Sequence, residues 1–541
     1  QNPPTNQPPY NLVIHLDANG DPIYIDNELQ YDEYDYPILL GAGRLNAGNA
    51  VKLAMDWPFD YPEGLEITSN SDVIEDLNGD GIIRIRGNLV FTEDVDDFSI
   101  SNKIFEFQRD CSIDPEEAPY FDQSGIIVKR AAQVQFNNCT FRPVSYCPEM
   151  FPEDSDQMWD GMQVWGDEEL IYTQGDPILS GISYNAVEHG VLNLSNCNVE
   201  DAAIGVTCYR RNYSSRFNNQ LVGEYGAGQL LASNTTFLNN HIGIDMKSHM
   251  QPNVRNYSKI AKCTFIANAP LASNVLYEDK PTNTFVKMTN VRNPEILGCS
   301  FEGTPEFAAE GYVTGIRGNN ARFKLTATAE YIDNNCNQFG QIDNGFIDLY
   351  KGVDVSNLTT IANGIILRDA TFEGVLQGIT ANNANMMEIA FNTLNCYPEN
   401  INFDTWGVFV RGCQSGLITE NEFIGPFEEP DGQGYGLVVR NNSQSEMHVY
   451  RNNFTQTFYA ANQMEQTNTT TKLQCNTYDQ GNVYDWLITS GNLNNQGQCN
   501  ELTLNPALWA NNYFYTCETA EYGLERQIKN LGEGFRYRSH P

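Results

Sequence analysis

Short alternations of apolar and polar residues, separated by corners rich in asparagine, recur along most of this chain. In the representative unit Asn234–Asp245, Phe237 marks one short strand, Asn239 and Asn240 form a corner, and the Ile-Gly-Ile segment 242–244 marks the next strand. Asparagine tolerates the left-handed backbone conformation that a sharp corner needs, and its side chain can bond nearby backbone. The pattern predicts a strand, a corner and a second strand.

The unit recurs with a phenylalanine at the same position, at intervals of about 30 residues that vary with loop length. The further copies centre on Phe141, Phe265, Phe301, Phe372, Phe423 and Phe454. One such unit cannot bury its apolar face alone, so units must stack. The pattern predicts an all-β chain built as a right-handed parallel β-helix, with a small N-terminal module and a short C-terminal cap. A β-sandwich should show fewer copies of one motif, and a propeller more regular intervals.

Composition shifts divide the chain into four segments. Residues 1–57 are expected to be a linker plus a segment with a short helix at Asn46–Ala54, residues 58–86 a bridge, residues 87–501 the β-helix, and residues 502–541 a cap or a linker. Within the last segment, Glu518–Gly532 has a helical pattern in which Glu525 and Lys529 would form an i,i+4 pair.

The charge balance limits the kinds of partner that this protein can bind. The chain has 32 Lys and Arg against 69 Asp and Glu, a formal net charge of −37. A surface this acidic repels phosphate backbones, which argues against nucleic acid and leaves cations as possible ligands. No apolar run reaches the roughly 18 residues that a membrane span needs.

The 13 cysteines are many for a cytosolic protein and fit an oxidising compartment. Cys139, Cys263 and Cys299 each lie two residues before a repeated phenylalanine, which places them on the same strand face and predicts small buried core residues. Neighbouring cysteines could also form local bridges, namely Cys139/Cys147, Cys197/Cys208 and Cys475/Cys499.

A possible calcium loop lies in the bridge. Asp76, Asn78 and Asp80 alternate before Gly81, as the first ligands of a calcium loop do. The twelfth position is Gly87 rather than the bidentate glutamate of an EF-hand, so an Asp/Asn/Gly turn before a strand explains the same residues. Ca²⁺ is therefore a possible ligand, and the sequence implies no other cofactor.

The sequence contains no complete catalytic set. The best candidate set for acid–base chemistry combines Asp201, Arg210, Arg211, Asp245 and Lys247, because residues of adjacent coils meet on a β-helix. With 69 acidic residues in the chain, chance juxtapositions are common, so solvated coil residues are the favoured explanation of this set.

Several tyrosines fall in predicted loops: Tyr209, Tyr213, Tyr225, Tyr257 and Tyr459. Exposed tyrosines can stack on sugars or make protein contacts, and they can also cover the flanks of the coil stack.

The stretch GAGRLNAGNAV at Gly41–Val51 resembles the closing segment of subtilisin-like serine protease domains, and the likeness covers Ile25–Asp56. The serine, histidine and aspartate motifs of that family are not in this chain, and His15 lies in a different context. The resemblance therefore transfers no catalytic residue.

A second resemblance spans Ile82–Gly243, in which a basic strand, NNCTF and the segment Met158–Leu170 precede VLNLSNCNVEDAAIGV. This order is similar to the surface β-helix regions of large secreted proteins of the Bacteroidetes, which implies type IX secretion and, commonly, a terminal sorting domain.

Together these observations favour an extracellular or cell-surface protein of structural or adhesive function, whose loops contact glycans, surface proteins or secretion-system proteins. One alternative is a carbohydrate-active β-helix enzyme, either a polysaccharide lyase or a glycosidase. The other is the C-terminal part of a secreted subtilisin-like protease.

Overall fold

The chain divides into two compact units, Gln1–Asp60 and Tyr61–Pro541. The structure, a computed structural model, describes residues 59–108, 124–144, 158–166, 189–211, 228–247, 256–271, 280–331, 339–358, 364–395, 404–413, 415–425, 434–442, 446–455, 459–478, 482, 484–493, 496, 512–514 and 528–532. The subtilisin-like segment and the helix expected at Asn46–Ala54 lie outside these residues.

Three long parallel sheets form the second unit, and each coil adds one strand to each sheet in turn. In one complete coil, Val191–Ser195 is followed by Asn198–Glu200 and then by Ala202–Cys208. Every strand of these sheets pairs in parallel with the equivalent strands of the coils before and after it. The chain therefore forms a right-handed parallel β-helix, as the repeat predicted.

Sheet I contains 15 strands, which are Leu65–Ile67, Asn88–Phe91, Gly125–Val128, Trp159–Val164, Ala202–Cys208, Ile242–Lys247, Thr284–Thr289, Thr314–Asn319, Lys351–Ser356, Gln377–Asn382, Thr405–Arg411, Gly434–Arg440, Ala460–Glu465, Tyr484–Ile488 and Ile528–Asn530. Sheet II contains 12 strands, which are Phe98–Ser101, Gln133–Asn137, Val191–Ser195, Gln229–Ser233, Lys259–Ala261, Arg292–Leu297, Arg322–Thr326, Ile366–Arg368, Glu388–Ala390, Gly416–Thr419, Met447–Tyr450 and Thr471–Gln474.

Sheet III contains 14 strands, which are Ile82–Arg86, Ile104–Gln108, Thr140–Pro143, Asn198–Glu200, Thr236–Leu238, Thr264–Ile266, Ser300–Glu302, Asn344–Ile347, Ala370–Glu373, Thr393–Asn395, Glu422–Ile424, Asn453–Thr455, Thr477–Tyr478 and Tyr513–Phe514. Two elements interrupt the coils: an antiparallel hairpin of Thr328–Tyr331 with Phe339–Ile342, and a short helix at Pro305–Ala309 whose first turn is capped by Thr304.

The repeated phenylalanines form a continuous column of rings inside sheet III. Successive rings are stacked with centroids 4.5–5.1 Å apart in the pairs Phe237–Phe265, Phe265–Phe301, Phe301–Phe346, Phe346–Phe372, Phe423–Phe454 and Phe454–Tyr478. Val199 and Leu394 fill the same position where a ring is missing. Full burial of each ring stabilises the fold by about 1.5–3 kcal/mol, and each ring obtains that burial from its neighbours.

A row of glycines on sheet I makes room for this column. Gly243, Gly315, Gly352, Gly407 and Gly436 occupy equivalent positions, and a Cβ at any of them would press on a ring of the column or on the next coil's backbone. The glycine-apolar pairs of the sequence therefore mark the strand position that faces the phenylalanine rings.

Left-handed corners connect sheet II to sheet III. The residue at this corner has a φ of 47–56° at Asn138, Asn196, Asn234, Asp369 and Phe391 alike. Asparagine adopts this left-handed conformation at little cost. At Phe391 the rest of the coil imposes the same backbone conformation. The corner predicted from the sequence at Asn239 and Asn240 lies instead between sheets III and I, where Asn239 also has a left-handed φ of 50°.

The residue after that corner forms a second internal column, which changes chemistry along the protein. In the C-terminal coils it is a ladder of buried asparagines, and each Nδ2 donates to the next Oδ1 at 2.9–3.0 Å in the pairs Asn392–Asn421, Asn421–Asn452, Asn452–Asn476 and Asn476–Asn512. The same Oδ1 atoms accept a backbone N–H of the preceding coil, as Asn452 Oδ1 does from Asn421 N at 3.1 Å. The buried amides are thereby satisfied, which avoids a cost of about 1–3 kcal/mol for each unpaired group.

In the N-terminal coils the same column contains Cys139, Cys197, Thr235, Cys263 and Cys299, all buried. The four cysteines are free thiols, as are Cys208 and Cys475. Burial of Cys139, Cys263 and Cys299 as core residues is confirmed. The local bridge Cys197/Cys208 was wrong, because Cys197 precedes a strand of sheet III and Cys208 ends the following strand of sheet I, and both are free thiols. Cys147 and Cys499 lie outside the described residues, so Cys139/Cys147 and Cys475/Cys499 stay predictions.

The coil stack is longer than the expected 87–501. Leu65–Ile67 already belongs to sheet I, and Ile82–Arg86 pairs with Ile104–Gln108 in sheet III. At the other end, Ile528–Asn530 pairs in parallel with Trp486–Ile488. The helix expected over Glu518–Gly532 was therefore wrong at Lys529, where pairing with an open sheet edge overrides helix propensity. Glu525 lies outside the described residues.

Among the described residues, no helix combines the length and apolar character needed to cross a membrane.

We expect Gly352→Ala to destabilise the stack by about 1–3 kcal/mol through overpacking. The added Cβ would lie 2.5 Å from Phe372 Cε1 and 2.6 Å from the carbonyl oxygen of Gly378. Gly345→Ala is the matched control, because its Cβ would meet only Ser300 Oγ at 3.6 Å. Denaturant unfolding measures both, and equal midpoints for the two variants would refute the packing role of the glycine row.

Asp485 should make stability depend on pH. It is buried at a position where most other coils carry Gly or Ala, and desolvation raises its pKa to about 7, against a lowering by the Asn482 hydrogen bond. Because the folded chain keeps a proton that the unfolded chain loses near its ordinary pKa of 3.8, stability should fall as pH rises from about 4 to about 7.

Asp485→Asn should therefore match the wild type at pH 4 and exceed its stability at pH 8, as measured by denaturant midpoints across this window. The exposed Glu93→Gln serves as a control for the loss of one negative charge. A constant difference between Asp485→Asn and wild type at all pH values would contradict the linkage.

Candidate functional site

The outward face of sheet I carries the polar and aromatic residues that are candidates for function. Strand register aligns one residue of each coil in a row, here called the central outward row. It contains Gln163, Thr207, Asp245, Lys287, Arg317, Asp354, Thr380, Phe409, Val438, Gln463, Leu487 and Lys529. The residues on either side of most members are buried, for example Ile244 and Met246 beside Asp245, so the row points away from the core.

Asp245 is the centre of the polar half of this row. Its side chain is 2 % exposed, and its Oδ2 accepts a hydrogen bond of 2.8 Å from the hydroxyl of Tyr209. The ammonium of Lys287 on the next coil lies 3.7 Å from the same oxygen. Oδ1 is buried and has no hydrogen-bond partner among the described residues. A buried carboxyl group, with one oxygen hydrogen-bonded and the other not, is thus held against the sheet.

Lys247 lies beside this carboxylate on the same strand. Its Nζ is 3.9 Å from the centre of the Tyr209 ring, and among the described residues it has no hydrogen-bond partner. Desolvation lowers the pKa of Lys247, and Lys287 and Arg211 lower it further, whereas Asp245 raises it. Burial and Lys287 similarly lower the pKa of His241 to about 4. A carboxylate, a phenol and a desolvated amine therefore lie next to one another. The four residues Tyr209, Asp245, Lys247 and Lys287 are here called the acid–base cluster.

Arg211 and Arg210 support the strands around this cluster. The guanidinium of Arg211 donates to Thr207 Oγ1 at 2.8 Å and to the carbonyl oxygen of Asp160 at 2.8 Å, so it ties two coils together. The guanidinium of Arg210 lies 4.7 Å from the ring centre of Trp165. Both arginines border the cluster, and their contacts are of the kind that fix loop ends.

Asp201 does not belong to the cluster. It occupies a left-handed corner with a φ of 50°, at the opposite end of the strand that leads to Tyr209. Desolvation and the neighbouring Glu200 raise its pKa to about 6. Its equivalent in the next coil is the corner residue Asn239, whereas the equivalent of Asp245 is Thr207. The predicted set therefore places Asp245, Lys247 and Arg211 together and leaves Asp201 apart.

The aromatic half of the face lies in the C-terminal coils. The outward face of four consecutive strands of sheet I carries a group of rings, here called the aromatic patch: Trp406, Phe409, Tyr435, Tyr459 and Tyr484. Trp406 and Phe409 have ring centres 5.1 Å apart, and Tyr459 is edge-on to Tyr435 at 6.0 Å and to Tyr484 at 5.6 Å. Tyr435 is buried, and the other four are partly exposed.

Cations and hydrogen bonds fix the edges of the aromatic patch. The guanidinium of Arg440 lies 5.4 Å from the Phe409 ring centre, and Lys529 Nζ donates to the hydroxyl of Tyr484 at 2.9 Å. The indole Nε1 of Trp406 donates to Thr380 Oγ1 at 3.1 Å. The rings are thus held in one orientation before any ligand arrives.

Sequence reasoning missed the Tyr209–Asp245 bond, Lys287 and most of the aromatic patch. Of the tyrosines expected in loops, Tyr209 is buried under Lys247, Tyr257 is exposed, Tyr459 belongs to the patch, and Tyr213 and Tyr225 lie outside the described residues. The sequence did contain one signal for the aromatic patch. The strands at 405–411, 434–440 and 484–488 have apolar residues at both alternating sets of positions, although one of the two sets must face outward.

The predicted calcium loop has the contacts of a turn. Asp76 accepts backbone N–H groups of Gly79 and Gly81 at 2.7 Å each, and Asp80 accepts from Ile82 N and Arg84. This is the Asp/Asn/Gly turn that the sequence also allowed, while calcium binding at Asp76, Asn78 and Asp80 stays a prediction. Within the described residues, no three His, Cys, Asp or Glu side chains form a metal-binding group.

No protein-family model matches the chain, and no curated protein sequence is similar to it. Solved structures similar to it include a double mutant of the periplasmic alginate epimerase AlgG, with 10% identity, a TM-score of 0.36, and coverage of 87% of this chain and 86% of that one. A tailspike protein mutant of E. coli bacteriophage HK620 in complex with a pentasaccharide has 10% identity and a TM-score of 0.33, covering 93% and 66%. The Streptococcus pneumoniae surface protein and adhesin PfbA has 8% identity and a TM-score of 0.25, covering 83% and 91%. The likeness is one of fold.

Proposed function

We propose that this protein is an extracellular or cell-surface β-helix that binds glycans through the outward face of sheet I. The aromatic patch is the observation that supports this function. Its partly exposed rings lie along the helix axis on a rigid sheet, and the apolar C–H face of a pyranose stacks on such rings while its hydroxyls bond the polar groups at their edges.

The geometry favours an elongated ligand. Adjacent coils advance by about 4.8 Å, a length comparable to one sugar unit of a linear chain. Tyr459 and Tyr484, on adjacent coils, can therefore meet successive units, and Trp406 can meet a unit two coils before Tyr459. The rings are held by Thr380, Arg440 and Lys529. Binding then costs little side-chain entropy, as in other pre-organised sites. The net charge of −37 favours neutral over strongly acidic glycans.

Surface proteins or secretion-system proteins are alternative partners for the same face. Export by a type IX route is also part of this proposal, and its support is the sequence resemblance alone. A calcium ion at Asp76, Asn78 and Asp80 would not take part in glycan binding, because that turn precedes the first complete coil.

Binding to a panel of neutral and acidic oligosaccharides tests the proposal. Trp406→Ala and Tyr484→Ala should each weaken the binding of a neutral ligand by about tenfold, equivalent to ~1.4 kcal/mol, because each removes one stacking platform. Isothermal calorimetry on the full chain measures the change. The matched control is Phe391→Ala, which removes a ring that is 49% exposed at a corner between sheets II and III.

Equal affinities for all three variants, or no binding across the panel, would refute glycan recognition by the aromatic patch. Loss of binding in Phe391→Ala as well would show that ring removal acts through stability.

A second candidate function is supported by the acid–base cluster. A polysaccharide lyase needs a base to remove the proton next to a uronate carboxylate and an acid to protonate the leaving oxygen. Lys247, with its lowered pKa, and Tyr209 are groups of these two kinds. However, Asp245 is 2% and Tyr209 4% exposed, so the cluster is closed to solvent in this structure, which favours glycan binding over catalysis.

If the chain is a lyase, incubation with acidic polysaccharides should release unsaturated products that absorb in the ultraviolet. Lys247→Met and Tyr209→Phe should then reduce the rate by about 10²–10⁴-fold, as expected for loss of a proton-transfer group. Lys259→Met, on the exposed face of sheet II, is the control. Absence of product across the panel would exclude this activity.

A further inference from the structure

Four cysteines stand in register at the corner that leads into sheet III. The residues that follow them pair in parallel from coil to coil: Thr140 with Asn198, Asn198 with Thr236, Thr236 with Thr264, and Thr264 with Ser300. The residues immediately before these paired positions therefore form the column Cys139, Cys197, Thr235, Cys263 and Cys299. Within this column Cys139 is adjacent to Cys197 and Cys263 is adjacent to Cys299, and Thr235 separates the two pairs.

The spacing of the coils suits a covalent link. Adjacent strands are about 4.8 Å apart, and the Cα atoms of a disulfide are usually about 4.4–6.8 Å apart. The thiol of Cys139 interacts with that of Cys197, and the thiol of Cys263 with that of Cys299. All four side chains are buried in the core, and their Sγ atoms lie near backbone carbonyls, such as Phe136 O at 3.3 Å from Cys197.

We propose that Cys139–Cys197 and Cys263–Cys299 are two sites of disulfide formation that covalently link successive coils, and that Thr235 determines this pairing by keeping Cys197 two coils away from Cys263. The threonine hydroxyl donates to Leu194 O and Ser233 O and accepts from Cys197 N, so it fills its coil's position with a group that cannot be oxidised to a disulfide.

The reaction is a two-step exchange with a small disulfide such as oxidised glutathione. The Cys139 thiolate attacks one sulfur of the donor, forming a mixed disulfide and releasing one reduced thiol. Cys197 then loses its proton and attacks Cys139 Sγ, which forms the protein disulfide and releases a second reduced thiol. The interaction between the two thiols lowers the pKa of Cys139 and raises that of Cys197, so Cys139 is written as the first nucleophile. The donor reaches the buried thiols through local opening of the coils.

The two links would lie on either side of the coil that carries Asp245 and Lys247, which is the coil of Thr235. Tyr209 lies in the coil of Cys197 and Lys287 in the coil of Cys263. They would lie in the N-terminal half of the stack, where the corner column has no asparagine ladder. This inference is independent of the glycan-binding proposal.

Peptide mapping by mass spectrometry tests the proposal on the full chain, incubated with oxidised glutathione, then blocked with an alkylating reagent under denaturing conditions. The expected result is two cross-linked peptide pairs, Cys139 with Cys197 and Cys263 with Cys299, each lighter by two hydrogen atoms than its reduced form. The buried thiol of Cys413, in another column, should be alkylated completely.

Two variants sharpen the result. Cys139→Ser should leave Cys197 alkylated and leave the Cys263–Cys299 link intact. Thr235→Cys should add competing links to Cys197 and Cys263, whereas Thr235→Ser should keep the original pairing. Complete alkylation of all four thiols after oxidation, or a Cys197–Cys263 link in the unaltered chain, would overturn the proposal.

Discussion

Parallel, in-register pairing of each coil with the next is the constraint on which this structure depends. It places equivalent residues directly above one another, so any residue type repeated at one position becomes a continuous column. Phenylalanines become a stack of rings, glycines become the gap that receives them, and asparagines become a hydrogen-bonded ladder. A coil removed from this arrangement would expose its ring and leave its amide unpaired, which is why the stack, and not the single coil, is the unit of stability.

The same constraint organises the outer surface. The central outward row places Asp245 beside Lys287, so opposite charges of successive coils partly neutralise each other. Further along, it brings Phe409 and the neighbouring rings together without any need for core packing. A solvent-facing group of aromatic side chains on a rigid sheet has a cost in water, and such patches on soluble proteins commonly mark contact surfaces. The sheet therefore turns a linear sequence pattern into a linear contact surface.

The sequence was sufficient for the fold because its signals were local and repeated. The phenylalanine interval, the glycine-apolar pairs and the asparagine corners each identify a position within the coil, and all agree. The site was harder to predict, because it depends on which positions align across loops of different length. Asp201 and Asp245 both follow similar strands in the sequence, but one is a corner residue and the other a strand residue. Likewise, the outward rings at 406 and 409 could not be separated from the inward valines at 408 and 410, since both sets are apolar. The strand at 528–530 was missed because its pairing partner, not its own sequence, determines its conformation.

The columns also show that the two halves of the stack are built differently. In the N-terminal coils the corner column contains thiols and a threonine, and the outward row is charged. In the C-terminal coils the corner column is a run of asparagines, and the outward face is aromatic. A ladder in which each amide bonds two neighbours fixes coil spacing more tightly than packing of small apolar groups, because a shift of one coil would break bonds on both sides. The asparagine ladder inside and the aromatic patch outside therefore occupy the same coils, whose spacing is set by the parallel sheets. The ladder adds a second set of bonds that hold these coils in register.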